Sequence, residues 1–356
     1  MNDNDNLNMK RAHRTSVTEP YQLCSNNPVP EIPRGGCRIR VVYAGACFTD
    51  SQLRKTGRRP KMAGIRDTSL FPGFEVSGVI DQVCNSVPNC NLLPGDKVVV
   101  YPDGEEKHEV GYSEYIAVKD LKNVFKLPES MSLEIGSMLP SSALTAYSAV
   151  KRAEPHVRDL MKTKESCNIL IVGAGGLGLW TLTLAKHFIG QNSDKVRITV
   201  ADTSIEKLIV AQDHGCYDVI HWSDCDHEQY LVERTLDVCR GGVDVVIDFV
   251  SSQRTMNRAI RCLNREGMIL AGGNSRHEVM ICLNDLAANA QSILGVSKGS
   301  RAQLEELLNV FAAEQVQPPC YSVFPVEQVN SVFEKLSSCQ IDGRAILKVS
   351  EVPCNN

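Results

Sequence analysis

Apolar and polar positions alternate along the chain in two different patterns, and each pattern predicts a different kind of domain. Between residues 10 and 125 the apolar runs are short, and turn-forming residues such as those at 33–36 and 91–96 separate them. Many short strands with few helices between them are typical of a β-barrel. The strand candidates are residues 38–42, 79–83, 97–101 and 113–118.

From about residue 150 to residue 297 the pattern changes, and strands alternate with helices. Continuous apolar runs at 169–172 and 244–250 predict buried strands, and residues 177–190 carry apolar side chains at helical spacing. This alternation predicts a doubly wound parallel sheet. A helical segment at 132–153 is expected to lead from the first part into the second.

The C-terminal region returns to the β-rich part, because two amphipathic helix patterns are followed there by a strand candidate at 343–349. The sequence therefore predicts an α/β protein with one domain inserted into another, and we expect a ligand cleft between the two. The predicted parts are a disordered tail at 1–9, a β domain at 10–149 and 298–356, and the inserted domain at 150–297.

Composition narrows the functional classes. The 356-residue chain is 43% hydrophobic with a formal net charge of −4, so it lacks the basic footprint of a nucleic-acid-binding protein. No apolar run reaches the ~20 residues of a membrane span, and residues 1–6 lack the features of a signal peptide. The fourteen cysteines show no C-x-x-C spacing, which favours reduced thiols in a cytoplasmic protein. A small-molecule substrate is the expected partner.

Residues 168–202 carry the clearest chemical signal, in the order strand, glycine turn, helix, strand, acid. Gly173 permits a tight turn, Gly175 lets a pyrophosphate approach the backbone, and Gly178 allows the helix to pack closely on the sheet. The free N–H groups and the dipole at the helix N-terminus then attract the phosphates. Asp202 follows Gly178 by 24 residues, near the expected spacing of roughly 20. Its carboxylate favours NAD over NADP because it would repel a 2′-phosphate.

Several further motifs are similar to those of the medium-chain dehydrogenase/reductase superfamily, in particular its alcohol and sorbitol dehydrogenases. The markers are residues 43–50, 72–78, 93–98, 144–147 and 343–345, the glycine turn and the pair Ser300-Arg301. The resemblance implies a GroES-like β-barrel catalytic domain, a Rossmann cofactor domain, and hydride transfer between a nicotinamide and a carbonyl or alcohol. It also implies a homodimer or homotetramer assembled through an edge strand of the Rossmann sheet, for which residues 279–283 are the candidate.

The resemblance assigns the cofactor-binding residues one by one. Asp202 and Lys207 match the acid that binds the ribose and the lysine five residues after it. Arg301 matches an arginine that reaches the pyrophosphate in some relatives, and a surface salt bridge is the alternative role for it. The residues that match the phosphate loop are Gly173, Gly175, Gly176, Leu177 and Gly178.

The catalytic zinc site of the family is where the chain departs from the pattern. Cys47 matches the first ligand, but Phe74 stands in place of the histidine of the Gly-His-Glu motif, and Ser141 aligns with the third ligand. A benzyl ring cannot bind zinc and a neutral hydroxyl is a poor ligand, so we expect no zinc at this site. The four cysteines of the structural zinc lobe are also missing between Tyr101 and Tyr112.

Two interpretations of the site remain. In the first, Cys47 and Glu75 are joined by Asp50 or His108 in an unusual metal site. In the second there is no metal, and hydroxyl groups stabilise the oxyanion. Thr49 matches the proton-relay hydroxyl of the family, or else it is a capping residue. Weaker hydrogen-bond donors are Ser141 and Tyr112.

The predicted function is therefore an NAD(H)-dependent oxidoreductase that works without catalytic zinc on a small carbonyl, an alcohol or an activated double bond. Its predicted catalytic residues are Cys47, Thr49, Asp50, Glu75 and Ser141. The alternatives are a catalytically silent NAD-binding pseudoenzyme and a metal-dependent alcohol or polyol dehydrogenase with substituted ligands.

Overall fold

The computed structural model describes residues 8–14, 19–47, 73, 75–85, 91–102, 111–190, 195–273, 278–313 and 315–352. Contacts divide the chain into two units. Unit 1 comprises Met1–Ser141, Ser300–Ala313 and Cys320–Asn356, and unit 2 comprises Ser142–Gly299 and Glu314–Pro319. The change of unit at Ser141 lies eight residues before the boundary expected after residue 149. The long helix Leu144–Leu160 belongs to unit 2 because it packs there on the helix that follows the glycine turn.

Unit 1 is built on a seven-stranded sheet with the order β14-β15-β3-β4-β5-β7, and β6 pairs with β3. Its central strands are buried along most of their length, and their apolar side chains form one core. A separate hairpin joins β1 and β2. The strands of unit 1 are β1 Asn8–His13, β2 Gln22–Pro28, β3 Cys37–Ala46, β4 Val76–Val83, β5 Lys97–Val100, β6 Tyr115–Val118, β7 Val124–Lys126, β14 Tyr321–Pro325 and β15 Arg344–Lys348.

The start of β1 corrects the expected disordered tail. Asn8 and Met9 already belong to the strand, whereas the tail was predicted to reach residue 9. Met9 is only 2% exposed, because its side chain packs inside unit 1 while its backbone pairs with Asn27 of β2. Because the residues before Met9 are polar, the sequence did not indicate that its side chain is buried.

Unit 2 contains a six-stranded parallel sheet with the order β10-β9-β8-β11-β12-β13. β8 and β11 are buried along their whole length, which explains their continuous apolar runs. The order reverses between these two strands, and in open α/β sheets ligands bind beyond the carboxyl ends of the strands at such a point. The strands are β8 Cys167–Val172, β9 Val196–Asp202, β10 Asp218–His221, β11 Val243–Asp248, β12 Leu263–Ala271 and β13 Ser292–Gly295.

In unit 2 the helices alternate with the strands along the chain, as the sequence predicts. In unit 1 the helices are α1 Leu133–Met138, α8 Arg301–Ala312 and α9 Val329–Ser337. In unit 2 they are α2 Leu144–Leu160, α3 Gly176–Ala185, α4 Ile205–Asp213, α5 Glu228–Val238, α6 Gln253–Cys262 and α7 Leu283–Ala288. None of the helices in the described ranges combines the length and apolar character that crossing a bilayer requires.

The proposed edge strand at 279–283 is wrong. Residues 278–282 form no strand, and Leu283 begins α7. In the described residues the two edge strands of the sheet are β10 and β13, and β13 pairs there with β12 alone, through Met268↔Ser292 and the three pairs after it. The apolar run at 279–283 looks like a strand in the sequence, but its side chains are largely exposed on this unit, with Met280 at 86% and Leu283 at 74%.

Candidate active site

The turn between β8 and α3 requires glycine at two positions. Gly173 has φ +99°, a left-handed backbone that side chains other than hydrogen rarely permit. A Cβ on Gly178 would collide with the backbone carbonyl oxygen of Gly173. The first constraint fixes a tight turn directly after β8, and the second fixes how closely α3 returns to it.

Gly175 leaves the N-terminus of α3 open. It occupies the N-cap position without a side-chain capping bond, so the first-turn N–H groups of Gly176 and Leu177 have no side chain to cap them. A Cβ placed on Gly175 would find no heavy atom within 4 Å. Open space beside uncapped amides and the positive end of the helix dipole fit a pyrophosphate group.

Asp202 ends β9 and connects that strand to the glycine turn. Its Oδ2 accepts a hydrogen bond from the backbone N–H of Ala174 at 2.6 Å, and its Oδ1 accepts one from Ser204 at 2.9 Å. Each carboxylate oxygen can accept a further bond, so the group retains capacity for the ribose hydroxyls. Lys207 lies in the first turn of α4, where Ser204 Oγ caps its backbone N–H at 3.3 Å.

A second acid, Asp248, lies beside this turn and was missed by the sequence analysis. It ends β11 in register with Val172, the residue just before Gly173. Its Oδ1 accepts hydrogen bonds from the N–H groups of Val250 at 2.8 Å and Ser251 at 2.7 Å, and burial raises the pKa of this carboxyl. The carboxyl therefore shapes the turn that places Val250 against Gly173. The signal in the sequence that could have identified Asp248 was an acidic residue near the end of an apolar run.

In unit 1, three residues that are far apart in the sequence form a cluster. Cys47 follows β3, Glu75 precedes β4, and Arg344 begins β15. The guanidinium of Arg344 forms an ion pair with Glu75 and a side-chain hydrogen bond with Cys47. Glu75 is 3% exposed and Arg344 is 5% exposed. Burial disfavours the charge on Arg344, but the charges and hydrogen bonds of Glu75 and Cys47 raise its pKa overall.

Comparisons with known proteins agree with this architecture. Residues 33–129 match the family profile described as alcohol dehydrogenase GroES-like domain, and residues 176–313 match the profile described as zinc-binding dehydrogenase. The chain belongs to the medium-chain dehydrogenase/reductase superfamily. It is accordingly an oxidoreductase, with a GroES-like β-barrel domain and a Rossmann domain.

Individual relatives are distant but extend over the whole chain. An NAD-dependent alcohol dehydrogenase of Sulfolobus acidocaldarius is 27% identical over 360 residues, covering 93% of this chain and 97% of the relative. A D-arabinose 1-dehydrogenase (NADP(+)) of Saccharolobus solfataricus is 25% identical, covering 96% and 99%. The crystal structure of an alcohol dehydrogenase from Aeropyrum pernix, 24% identical, superposes with a TM-score of 0.78 and covers 95% of this chain and 99% of its own.

The residues of this superfamily member do not fit the zinc that the family implies. Cys47 and Glu75 are both engaged by the guanidinium of Arg344. Phe74 offers no donor atom, and Ser141 offers only a neutral hydroxyl. Within the described ranges, no group of three or more His, Cys, Asp or Glu side chains is arranged to hold a metal ion.

The structure restricts one of the other predicted donors. The hydroxyl of Tyr112 is buried and donates its proton to the carbonyl oxygen of Gly45 at 3.1 Å, so Tyr112 is wrong as a donor to substrate. Ser141 is half-buried in the segment Leu139–Ala143.

Arg301, the first residue of α8, is held inside unit 1. Its Nε donates to Asn123 Oδ1 at 2.7 Å, and its guanidinium lies 5.5 Å from the centroid of the Tyr101 ring. The remaining predicted site residues Thr49, Asp50, Phe74 and His108 lie outside the described residues.

Proposed function

We propose that this chain is an NAD(H)-dependent oxidoreductase that transfers hydride to or from a small carbonyl, alcohol or activated double bond without catalytic zinc. The observation that carries the proposal is the bond between Asp202 and the glycine turn. It fixes a carboxylate beside an uncapped helix N-terminus, the arrangement that the adenosine diphosphate part of NAD requires. The bound nicotinamide would supply or accept the hydride.

The preference for NAD over NADP rests on the charge and position of Asp202. Its two oxygens are held by the N–H groups of Ala174 and Ser204, so the carboxylate cannot easily rotate away from a ribose. A 2′-phosphate placed there would meet a fixed negative charge. Gly173, Gly175, Gly176, Leu177 and Gly178 would hold the pyrophosphate, with Lys207 and Arg301 as further cofactor contacts.

The choice of substrate class follows from the zinc ligands that the chain lacks. A metal Lewis acid contributes several kcal/mol to alkoxide stabilisation, and alcohol oxidation without one loses that contribution. An activated enone or enal needs less help, because hydride adds to an electron-poor carbon. In this proposal Thr49 supplies the proton, Ser141 donates a hydrogen bond to the developing oxyanion, and Asp50 supports this proton path. Cys47 and Glu75 then act through Arg344.

The main alternative is a silent NAD-binding pseudoenzyme, which the replaced ligands Phe74 and Ser141 also favour. A metal-dependent dehydrogenase with substituted ligands is disfavoured, because Arg344 already engages Cys47 and Glu75, the two candidate ligands within the described residues. We further propose a cytoplasmic homodimer or homotetramer assembled through unit 2. The cysteines within the described ranges are free thiols, as a reducing compartment requires.

One set of measurements separates these possibilities. Metal content of the untagged protein, NADH binding by fluorescence, and NADH consumption with a panel of enones, ketones and aldehydes are measured on the same preparation. NADH binding and enone turnover without stoichiometric metal would support the proposal. NADH binding without turnover of any substrate identifies the pseudoenzyme, and one zinc per chain would overturn the metal-free mechanism. The Thr49→Ala variant should bind NADH normally and lose ~100-fold in turnover.

A further inference from the structure

Around β1, three polar atoms are buried without a hydrogen-bond partner in the part of the chain that the structure describes. They are Nε of Arg11, Nδ1 of His13 and Oγ of Ser113. Ser113 is 0% exposed, and Arg11 and His13 are half-buried. An unsatisfied buried polar group is costly, and nearly all such groups in folded proteins have a partner. The three atoms therefore point to a partner that the described chain does not supply.

Backbone pairing places Arg11 and Ser113 side by side. The two residues form an isolated antiparallel bridge. Two backbone hydrogen bonds flank this bridge, one on each side: Glu114 N–H to the Lys10 carbonyl at 3.0 Å and Ala12 N–H to the Tyr112 carbonyl at 2.9 Å. Arg11 and Ser113 are thus a non-hydrogen-bonded pair, in which the Cα atoms are about 4.5 Å apart and the side chains lie close together on the same face.

His13 shares this face of β1. Residues 11–13 pair with β2 in continuous register, so the side chains of Arg11 and His13, two positions apart, lie on the same side of the strand. Ala12 lies between them and points to the opposite side, where it belongs to the apolar core of unit 1. The guanidinium, the imidazole and the Ser113 hydroxyl are therefore neighbours on the side of β1 that faces away from this core.

The chemistry of the three groups favours an acceptor with negative charge. All three atoms can donate a hydrogen bond, and Nε of Arg11 can only donate. Within the described ranges, neither Arg11 nor His13 forms an ion pair. Glu114, next to Ser113 in the sequence, instead accepts the backbone N–H of Lys10 at 2.7 Å. An oxyanion offers several acceptors at once, and hydrogen bonds to it are roughly twice as strong as neutral ones.

We propose that Arg11, His13 and Ser113 form a binding site for a small oxyanion, the phosphate or carboxylate group of a soluble molecule. The half-buried side chains of Arg11 and His13 are in contact with solvent, so the anion enters from their side and reaches the hydroxyl of Ser113. The site belongs to unit 1, whereas the glycine turn proposed for the pyrophosphate belongs to unit 2. The bound anion joins β1 to the segment around Ser113 and stabilises the folded protein.

The experiment measures the melting temperature of the full-length protein by calorimetry in sodium phosphate, sodium succinate and sodium chloride at equal ionic strength and pH. A ligand that binds only the folded state raises the melting temperature with its concentration, so phosphate or succinate should raise it above the chloride value. Phosphate also stabilises proteins without binding to a site, so the decisive quantity is the gain of the wild type minus that of the variants. A site-dependent gain with phosphate alone identifies a phosphate ligand, and one with succinate alone identifies a carboxylate.

Arg11→Gln and Ser113→Ala each remove one donor, and their fold is checked by circular dichroism. We expect each variant to bind the anion about tenfold more weakly, because each loses a hydrogen bond to a charged group. In chloride, Ser113→Ala should melt no lower than the wild type, because it removes a hydroxyl that has no partner in the protein. The glycine turn is unchanged in both variants, so anion binding there contributes equally to all the proteins.

Ser77→Ala is the matched control. Ser77 is also a buried serine of unit 1, but its hydroxyl donates to the carbonyl oxygen of Leu133 at 2.6 Å. This variant should melt lower than the wild type in chloride and keep the full gain from the anion. A Ser113→Ala protein that melts lower in chloride would show that the hydroxyl has a partner within the chain. Equal gains in the wild type, Arg11→Gln and Ser113→Ala would mean that a buried water satisfies these atoms, and either result overturns the proposal.

Discussion

The carboxylate of Asp202 accepts a hydrogen bond from the backbone N–H of Ala174 at 2.6 Å, so the acid that ends β9 is tied directly to the glycine turn after β8. The two strands are neighbours in the parallel sheet, with Val172 in register with Ala201. Asp202 and the glycine turn, which a whole helix separates in the sequence, are therefore joined directly in the fold. In the proposed function, the position of the nucleotide and the choice between NAD and NADP both depend on the Asp202 side chain.

Asp202→Asn should weaken NADH binding by about tenfold or more, because hydrogen bonds to a charged group are worth ~1.5–3 kcal/mol each. The amide keeps an oxygen acceptor but loses the negative charge that opposes a 2′-phosphate, so NADPH affinity should stay constant or improve. Both constants are measured by fluorescence titration. Asp218→Asn is the control, because this exposed acid begins β10 rather than ending a strand at the cofactor edge. Equal losses for NADH and NADPH would contradict the assigned role of Asp202.

Two glycine-to-alanine variants should separate folding from cofactor binding. Gly178→Ala places a methyl group against the carbonyl of Gly173 and should destabilise unit 2 by ~3 kcal/mol. Gly175→Ala adds the same group into open space at a negative φ, so its melting temperature should stay at the wild-type value.

The glycine variants are also compared in their affinity for NADH. Gly175→Ala should lower NADH affinity by about tenfold or more, because its methyl group occupies the space proposed for the pyrophosphate. Melting is followed by calorimetry and binding by fluorescence on the same samples. A Gly175→Ala protein with normal NADH affinity would show that the pyrophosphate lies elsewhere.

Asp248 should make the protein less stable as the pH rises. Burial raises the pKa of this carboxyl above its value in the unfolded chain, so the folded state keeps a proton that the unfolded state releases. In the window above the unfolded pKa, stability therefore falls with increasing pH until the folded pKa is passed. Asp248→Asn keeps an oxygen acceptor for Val250 and Ser251 and should remove this dependence.

Chemical denaturation at a series of pH values from 4 to 8 measures the effect. The free energy of unfolding of the wild type should decline relative to that of Asp248→Asn across this range. The asparagine protein should be at least as stable as the wild type at pH 8. Parallel pH profiles for the two proteins would show that Asp248 has the same pKa in both states.

The arrangement of the glycine turn and Asp202 could be predicted from the sequence because its parts are local. Gly173 and Gly178 lie in one short segment. Gly173 is required by its positive φ and Gly178 by the close approach of the backbone. Asp202 comes one strand later, and neighbouring parallel strands end at the same edge of the sheet. The spacing of these residues in the sequence was therefore sufficient to predict that they lie together.

The Cys47, Glu75 and Arg344 cluster could not be predicted in the same way. Arg344 and Glu75 are 269 residues apart, and only the pairing of β15 with β3 brings the guanidinium to both partners. The interpretation of residues 279–283 failed for a related reason. An apolar run predicts burial, but whether another surface covers it depends on tertiary and quaternary contacts that periodicity does not report.

Unit 2 should form a dimer across the face that carries β13 and α7. β13 is an edge strand of the sheet, and α7 has no buried residue. Met280, just before α7, and Leu283, its first residue, expose large apolar side chains. Such a combination is costly in water and is typical of a surface that another chain covers. The double variant Met280→Glu/Leu283→Glu should therefore shift the protein from dimer or tetramer to a smaller species without lowering helix content.

Sedimentation velocity across a range of protein concentrations measures the change. Val323→Glu is the matched control, because Val323 is also an exposed apolar residue on an edge strand, β14, but belongs to unit 1. It should leave the oligomer intact if assembly uses unit 2. In a two-fold interface, the glutamates introduced at positions 280 and 283 would lose their hydration and lie close to the same glutamates of the partner chain. The resulting desolvation cost and repulsion should exceed what the rest of the contact area contributes. A wild-type monomer, or an oligomer broken by the control alone, would contradict the assignment of this face.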